Sequence, residues 1–235
     1  MIKLNSKSRK LILLQRNELL SNTQILLRKR FGRFLFTNFF VYFFQINNLD
    51  NSVQNLFEKE YETIKNFLPS NVSNILDIGC GLGIINIFLN KKYNQSTKFF
   101  LLDKNKIDLK IKYGFSENYE SYNNLNETKN ILLANGLVEN QVILKNVDRN
   151  IDIDQKIDFI LSLKSMAFHY PIENYLKLLS KICTKNTEFI FDISTERYKI
   201  SDLQKYFENI DIIYEEDSQH PLKRLYCKSF KNIKI

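Results

Sequence analysis

The sequence predicts a doubly wound α/β domain with a mostly parallel sheet, preceded by a helical N-terminal extension. Three observations predict it. Short apolar strands alternate with amphipathic helices from Asn74 to Ile193; three of the chain's six glycines cluster between the first strand and the helix after it; and a basic, aromatic-rich segment precedes this region. At 235 residues, with 44% apolar and 13% aromatic content, the chain can bury a full core as one main unit.

Leu11, Ile12, Leu14, Leu19, Leu20, Ile25, Leu26 and Leu27 recur at helical spacing among charges, so residues 8 to 30 are predicted to form one or two amphipathic helices. Phe31 to Phe44 carries seven phenylalanines and Tyr42. It needs burial, either on the main domain or along the substrate cleft, with a membrane-surface role as the alternative. Val53, Leu56, Phe57, Tyr61, Ile64 and Phe67 give a helix over residues 52 to 67, ended by Pro69. Residues 1 to 68 are thus read as a basic helical cap and residues 69 to 235 as the main domain. The later part carries its own core pattern, so the basic arm, residues 1 to 30, is expected to be dispensable for folding.

In the main domain, strands are predicted at Ile75 to Ile78, Phe99 to Leu102, Val142 to Leu144, Phe159 to Leu163 and Phe189 to Ile193. Helices are predicted through Leu89, from Leu125 to Ala134 with Asn135-Gly136 as stop signal, and from Tyr175 to Ile182. Ile210 to Tyr214 and Leu225 to Phe230, separated by a polar turn containing Pro221, read as a closing hairpin.

The net charge of +8 sits in residues 1 to 33, which hold nine basic residues and one acid, Glu18; the remainder is balanced. A basic arm on a neutral domain indicates either an anionic partner (lipid head groups, a phosphorylated substrate or nucleic acid) or a solvated helix face. Cys80, Cys183 and Cys227 are an odd number at wide spacing, which argues against a disulfide framework and against a zinc site. No other metal-ligand cluster stands out. The opening residues lack the pattern of a secretory signal, and Phe34 to Phe44 is shorter than the about 20 residues a membrane span needs. A cytoplasmic protein is expected, with peripheral contact to the inner membrane face open to it through the arm.

Gly79, Gly81 and Gly83 lie directly after a strand and before a helix. Glycines there let the backbone turn tightly and come close to a ligand, and the helix start offers free N–H groups. Asp103 ends the next strand twenty residues after Gly83, the usual distance for a carboxylate that accepts hydrogen bonds from a ribose. A nucleotide-like cofactor is therefore expected. A dinucleotide fingerprint would place its third glycine at position 84, which is Ile84. Asp77, two residues before Gly79, would repel a pyrophosphate but suits the cationic groups of S-adenosylmethionine.

The run Ile75-Leu76-Asp77-Ile78-Gly79-Cys80-Gly81-Leu82-Gly83 resembles the first motif of class I S-adenosylmethionine-dependent methyltransferases, and Leu101-Leu102-Asp103 resembles their second. The resemblance covers residues 72 to 195 and implies that the hairpin completes the seven-stranded sheet of a Rossmann-like methyltransferase fold. It implies that Asp77 and the loop of Gly79, Cys80, Gly81 and Gly83 hold the methionine part of the cofactor, and Asp103 the ribose hydroxyls. Asp148, just past the third strand, is either close to the adenine ring or a surface carboxylate in the acidic run with Asp152 and Asp154. Ser162, at the end of the fourth strand, is a further cofactor-binding candidate.

The stretch from Ser162 to Pro171 follows the fourth strand, where ligands bind in this architecture, and is expected to form the acceptor side of the pocket. Ser162, Ser165, Phe168, His169, Tyr170 and Pro171, together with Tyr113-Gly114-Phe115 and Tyr122-Asn123, resemble a group of bacterial sugar O-methyltransferases. Those read Ser-Trp-Gly-Phe-His-Tyr-Pro where this chain has Ser165-Met166-Ala167-Phe168-His169-Tyr170-Pro171, so an indole stacking surface is missing. The [DNS]-P-P-[YF] motif of amino-methylating relatives is absent, as is the Pro-Cys pair of cytosine-C5 enzymes, and both departures weigh against nucleic acid as the substrate. The expected acceptor is a saccharide or another small molecule; the rivals are an RNA methyltransferase and an inactive cofactor-binding scaffold. His169 is the candidate catalytic base for a hydroxyl, the alternative being a histidine that only shapes its loop.

Overall fold

The basic arm does not form one continuous helix, because polar residues interrupt its apolar pattern. In a computed structural model that describes residues 1–43, 46–93, 96–108, 122–149, 151–218 and 220–231, it forms α1 (Ser6–Gln15) and α2 (Asn22–Phe31), separated by a 3₁₀ turn at Asn17–Leu19. Asn5 and Ser21 each accept a bond from the backbone N–H three residues on, so each helix starts at its own capping box. α3 (Arg33–Phe43) and α4 (Ile46–Ile64) follow, and a 3₁₀ turn at Lys65–Phe67 ends the segment before Pro69. α4 thus begins six residues earlier than its apolar spacing suggests.

The main domain follows the predicted rhythm. It runs β1 (Asn74–Ile78), α5 (Ile84–Tyr93), β2 (Lys98–Asp103), α6 (Leu125–Ala134), β3 (Val142–Asn146), β4 (Phe159–Ser162), α7 (Leu176–Ile182), β5 (Glu188–Ser194), α8 (Ile200–Leu203), β6 (Phe207–Glu216) and β7 (Leu222–Phe230). The seven strands form one sheet in the order β3-β2-β1-β4-β5-β7-β6. β1 to β5 pair in parallel, and β7 joins antiparallel to both β5 and β6. The expected hairpin is present and longer than its apolar cores indicated. Tyr113, Gly114 and Phe115 lie outside the described residues.

Strand alternation divides the core into two layers. Ile75, Phe99, Leu101, Phe159 and Leu161 face one side, and Leu76, Phe100, Ile160, Phe189 and Phe191 face the other, packed with Leu179 and Ile182 of α7. The first side is covered by α5 and by the N-terminal helices: Leu11, Ile12 and Leu13 of α1, Phe36 and Phe40 of α3, and Val53 and Phe57 of α4 are buried in the same cluster as Ile75 and Leu82. Burying each such aliphatic side chain stabilises by about 1.5–3 kcal/mol. This packing runs against the expectation that the basic arm is dispensable for folding, because part of the core is built from it. The same alternation turns Asp77, two residues after Ile75, and Asp103, two after Leu101, toward the side that α1 covers.

Candidate functional site

The order of the strands reverses between β1 and β4, and in open α/β sheets the carboxyl ends of strands at that point frame a ligand crevice. Four chain segments meet there: the glycine loop after β1, the end of β2, the loop after β4, and the end of α1.

The glycine loop is held by backbone bonds. Gly79 and Cys80 N–H both donate to Leu102 O, at 2.7 and 3.3 Å, and Gly83 N–H donates to Cys80 O at 2.8 Å. Gly79, Gly81 and Gly83 all have left-handed φ, at 73, 54 and 69°, so each needs glycine for its backbone alone. Their surroundings assign them different tasks. A Cβ on Gly79 would collide with Ser165, and one on Gly83 would lie 3.2 Å from both Thr128 and Leu132 of α6, so these two allow close packing. A Cβ on Gly81 would lie 2.9 Å from Oε1 of Gln15, so the open face of the loop is covered by the end of α1. Cys80 is half-buried between carboxylates, and burial followed by Asp103 and Asp77 raises its thiol well above the ordinary value, so it stays protonated.

Asp77 is 3% exposed and accepts one hydrogen bond, from Asn86 Nδ2 at 2.6 Å. Desolvation, opposed by that bond and reinforced by Asp103, raises its pKa to about 7. Asp103 accepts from Gly81 N at 2.6 Å and Lys104 N at 2.7 Å, and desolvation still raises it to about 6. Neither carboxylate forms an ion pair among the described residues, and the Oδ1 of Asn86 beside Asp77 is buried without a hydrogen-bond partner. A buried and a half-buried carboxyl, neither in an ion pair among the described residues, next to an orphaned amide oxygen, suit a ligand that carries a positive charge and several donors. S-adenosylmethionine, with its ammonium, sulfonium and ribose hydroxyls, fits that donor set.

The loop after β4 is strained. Lys164 and Ala167 have φ of 58 and 63°, uncommon for residues with a Cβ. It is also firmly held: Lys164 N donates to Asp192 Oδ2 at 3.1 Å, and Asp192 is locked in a buried pair with Arg224 at 2.7 and 2.9 Å. His169 N donates to Ser165 O at 2.8 Å, and Arg197 Nη1 donates to His169 O at 2.8 Å. His169 is exposed at its rim, and the protein around its ring lowers its pKa to about 4, through desolvation and then Arg197 and other cationic neighbours. It is therefore neutral near pH 7 and able to accept a proton, but less basic than an ordinary imidazole. Lys104, beside Asp103, places its ammonium 5.2 Å from the Tyr170 ring, which brings this loop to the end of β2.

Two predicted cofactor contacts are placed differently from the rest. Ser162 is fully buried; its hydroxyl donates to Ile78 O at 2.8 Å and accepts from Met166 N at 2.9 Å, so it ties β4 to β1 beneath the loop instead of facing a ligand. Asp148 is exposed on the turn after β3, whose preceding residue, Val147, donates to Asp103 O at 3.0 Å; it lies at the rim and not among the buried carboxyls. No cluster of three or more His, Cys, Asp or Glu that could hold a metal occurs among the described residues.

The individual contacts of the N-terminal cap are not legible in the sequence. Gln15 Nε2 donates to Tyr122 O at 2.8 Å, while Asn123 Nδ2 and Thr128 Oγ1 donate to Gly81 O at 2.9 and 2.8 Å. Glu18 pairs with Lys164 at 2.8 Å, joining the N-terminal segment to the loop after β4; burial would raise its pKa, but Arg16 and Lys164 lower it to about 2. Arg16 makes a two-pronged pair with Glu60 of α4, both bonds at 3.0 Å. Asn86, the partner of Asp77, did leave a signal in the sequence, as a polar residue inside the apolar run Ile84 to Leu89.

The sequence matches no protein-family model and no curated protein. Solved structures do resemble the fold. A SAM-dependent methyltransferase from Aquifex aeolicus superposes with a TM-score of 0.50 at 16% identity, over 72% of this chain and 88% of that one. A Nostoc punctiforme PCC 73102 protein described as an O-methyltransferase superposes with a TM-score of 0.52 at 10% identity, over 75% of this chain and 56% of that one. This is the Rossmann-like methyltransferase fold. At these identities the likeness concerns architecture, and the chemistry rests on the residues of this chain.

Proposed function

We propose that the protein is an S-adenosylmethionine-dependent methyltransferase that methylates a hydroxyl of a saccharide or another small molecule. The observation that carries the reading is the carboxyl pair, Asp77 buried and Asp103 half-buried, on either side of a left-handed glycine loop at the sheet's switch point, both raised by desolvation and neither in an ion pair among the described residues. Asp77 is assigned the cationic end of the cofactor, and Asp103 together with the Gly81 amide its hydroxyls. When bound, S-adenosylmethionine supplies a methyl group made electrophilic by its sulfonium.

The chain's own contribution is alignment and proton handling. The loop after β4, fixed by Asp192 and Arg224, is assigned to hold the acceptor oxygen in line, and alignment of this kind is worth several kcal/mol. A neutral imidazole on His169 takes the hydroxyl proton as the oxygen becomes a nucleophile. The hydroxyl acceptor is supported by the Phe168-His169-Tyr170-Pro171 phrase and by the absence of the amine-positioning Pro-Pro motif. Residues 1 to 68 are assigned the role of a cap over the loop.

Isothermal calorimetry with S-adenosylhomocysteine tests the core of this reading. Binding is expected for the wild type and should weaken by about 1–3 kcal/mol in Asp103→Ala, through loss of charge-assisted hydrogen bonds. Tight binding of a nicotinamide dinucleotide, or unchanged affinity in the variant, would overturn it.

A further inference from the structure

Helices α2 and α3 cannot bury all of their large apolar residues. The inner face of α3 delivers Phe36, Phe40 and Val41 to the core, and Phe34 sets its ring edge-on to Tyr122 at 5.9 Å. On the outside, Leu26, Leu27, Phe31, Leu35 and Phe39 stay in water, with Leu35 at 66% and Phe39 at 57% exposure. These are five of the eleven large hydrophobics exposed among the described residues, gathered in fourteen consecutive positions. An exposed apolar patch of that density marks a contact surface.

The charges around it are of one sign. Lys29 and Arg30 are exposed in the last turn of α2, and no acidic residue occurs between Glu18 and Asp50. Arg28 is turned inward, donating to Leu13 O at 3.2 Å and to Asn17 Oδ1 at 2.6 Å, so the outer cations belong to the surface and not to the packing. None of the described helices is long and apolar enough to cross a membrane. Leucine and phenylalanine projecting beside cations, on helices anchored from behind, match the chemistry of a surface that sits at a bilayer interface.

We propose that the outer face of α2 and α3 docks the protein onto an anionic lipid surface. Three observations favour a bilayer over other occupants. Three of the five exposed residues are leucines, which offer no π-face for stacking on RNA bases. A second copy of the same face would bring Lys29 and Arg30 against their own like charges. Apolar anchors beside cations match an anionic bilayer, where head groups and acyl chains lie side by side. The proposal does not depend on the cofactor reading, since docking involves neither the glycine loop nor turnover.

Co-sedimentation of the full chain with vesicles tests it. Binding is expected to equal parts of phosphatidylcholine and phosphatidylglycerol, to be at least about tenfold weaker on phosphatidylcholine alone, and to fall as salt is added. Neutralising two cations with Lys29→Gln and Arg30→Gln should weaken binding roughly thirtyfold, at about 1 kcal/mol for each basic residue at an anionic surface. Leu35→Ser with Phe39→Ser should weaken it about tenfold or more through lost insertion, and both pairs are exposed enough to leave the thermal melt in place. Absence of vesicle binding, equal binding to the neutral vesicles, or unchanged binding in either double variant would overturn the proposal. So would tighter binding of poly(U) that is indifferent to the Leu35 and Phe39 changes.

Discussion

Asp77 should be a burden on the protein without its ligand. Its carboxyl is raised from 3.8 to about 7 in the folded state, so between about pH 4 and pH 7 the folded chain binds a proton that the unfolded chain has released. Stability then falls as pH rises through that window, because the unfolded state binds fewer protons than the native one. Raising a buried carboxyl from 3.8 to about 7 corresponds to about 4 kcal/mol at about 1.4 kcal/mol per tenfold in proton affinity. Asp77→Asn removes the titration, and its new N–H group supplies a donor beside the buried Asn86 Oδ1 that lacks one. Urea unfolding at pH 5 and pH 8 is the assay. The wild type should lose stability between the two, the variant should lose clearly less, because Asp103, raised to about 6, still titrates there, and at pH 8 the variant should be more stable by up to about 4 kcal/mol while losing affinity for S-adenosylhomocysteine. Equal stability of both proteins at pH 8 would mean that the carboxylate already has a solvating partner, and the reasoning about an unmatched charge would fail.

Four further outcomes are expected. Because the His169 pKa is lowered to about 4, kcat at saturating cofactor and acceptor should stay level from pH 8 down to about 5; a fall centred near 6.5, the value of an ordinary histidine, would place the ring in open solvent. His169→Ala should keep cofactor affinity and lower kcat about 10² to 10⁴-fold, and full activity would assign the residue to loop structure. Gln15→Ala clears the face of Gly81, so the association rate of S-adenosylhomocysteine in stopped flow should rise severalfold; an unchanged rate would mean that Gln15 does not stand in the ligand's way. Leu13→Ala should cost about 2–5 kcal/mol in urea unfolding, and a loss below about 1 would show that α1 is not part of the core.

What the sequence displayed was whatever depends on local pattern. The strands of the sheet and the closing hairpin are short runs with their own turn signals, and the glycine loop needs three left-handed residues in a row of alternating positions, which leaves glycine as a visible trace. Asp77 and Asp103 stand out in the sequence because one lies two residues before the first glycine of the loop and the other ends the next strand twenty residues after the last. Ser162 is ambiguous there, because a strand-end serine looks the same whether its hydroxyl meets a ligand or, as here, the carbonyl of Ile78. The division of residues 31 to 41 into buried and exposed members was equally invisible: an apolar run on a helix shows how much surface needs cover, and only the positions of Phe36 and Phe40 against the sheet show which side receives it. Gln15, Glu18 and Glu60 act on partners tens to well over a hundred residues away, and such pairings leave no periodic mark.

The N-terminal segment joins these features into one device. The Gly81 carbonyl accepts from Asn123 and Thr128, the Tyr122 carbonyl accepts from Gln15, and the Tyr122 ring meets Phe34 and lies 4.9 Å from the Arg33 guanidinium. A continuous set of contacts therefore runs from the glycine loop to α3, whose outer side carries Leu35 and Phe39. On the other side, Glu18 ties the same segment to Lys164 in the loop that holds His169. A half-exposed ion pair of this kind contributes at most about 1 kcal/mol, so it is weak enough to break when a ligand needs room at Gly81. The strong connections, Arg16 to Glu60 and the buried leucines of α1, lie below it and keep the helix in place. The contacts that cover Gly81 and reach the loop after β4 are thus made by the end of α1 and the turn after it, Gln15 to Leu19, and not by the part of α1 that completes the core.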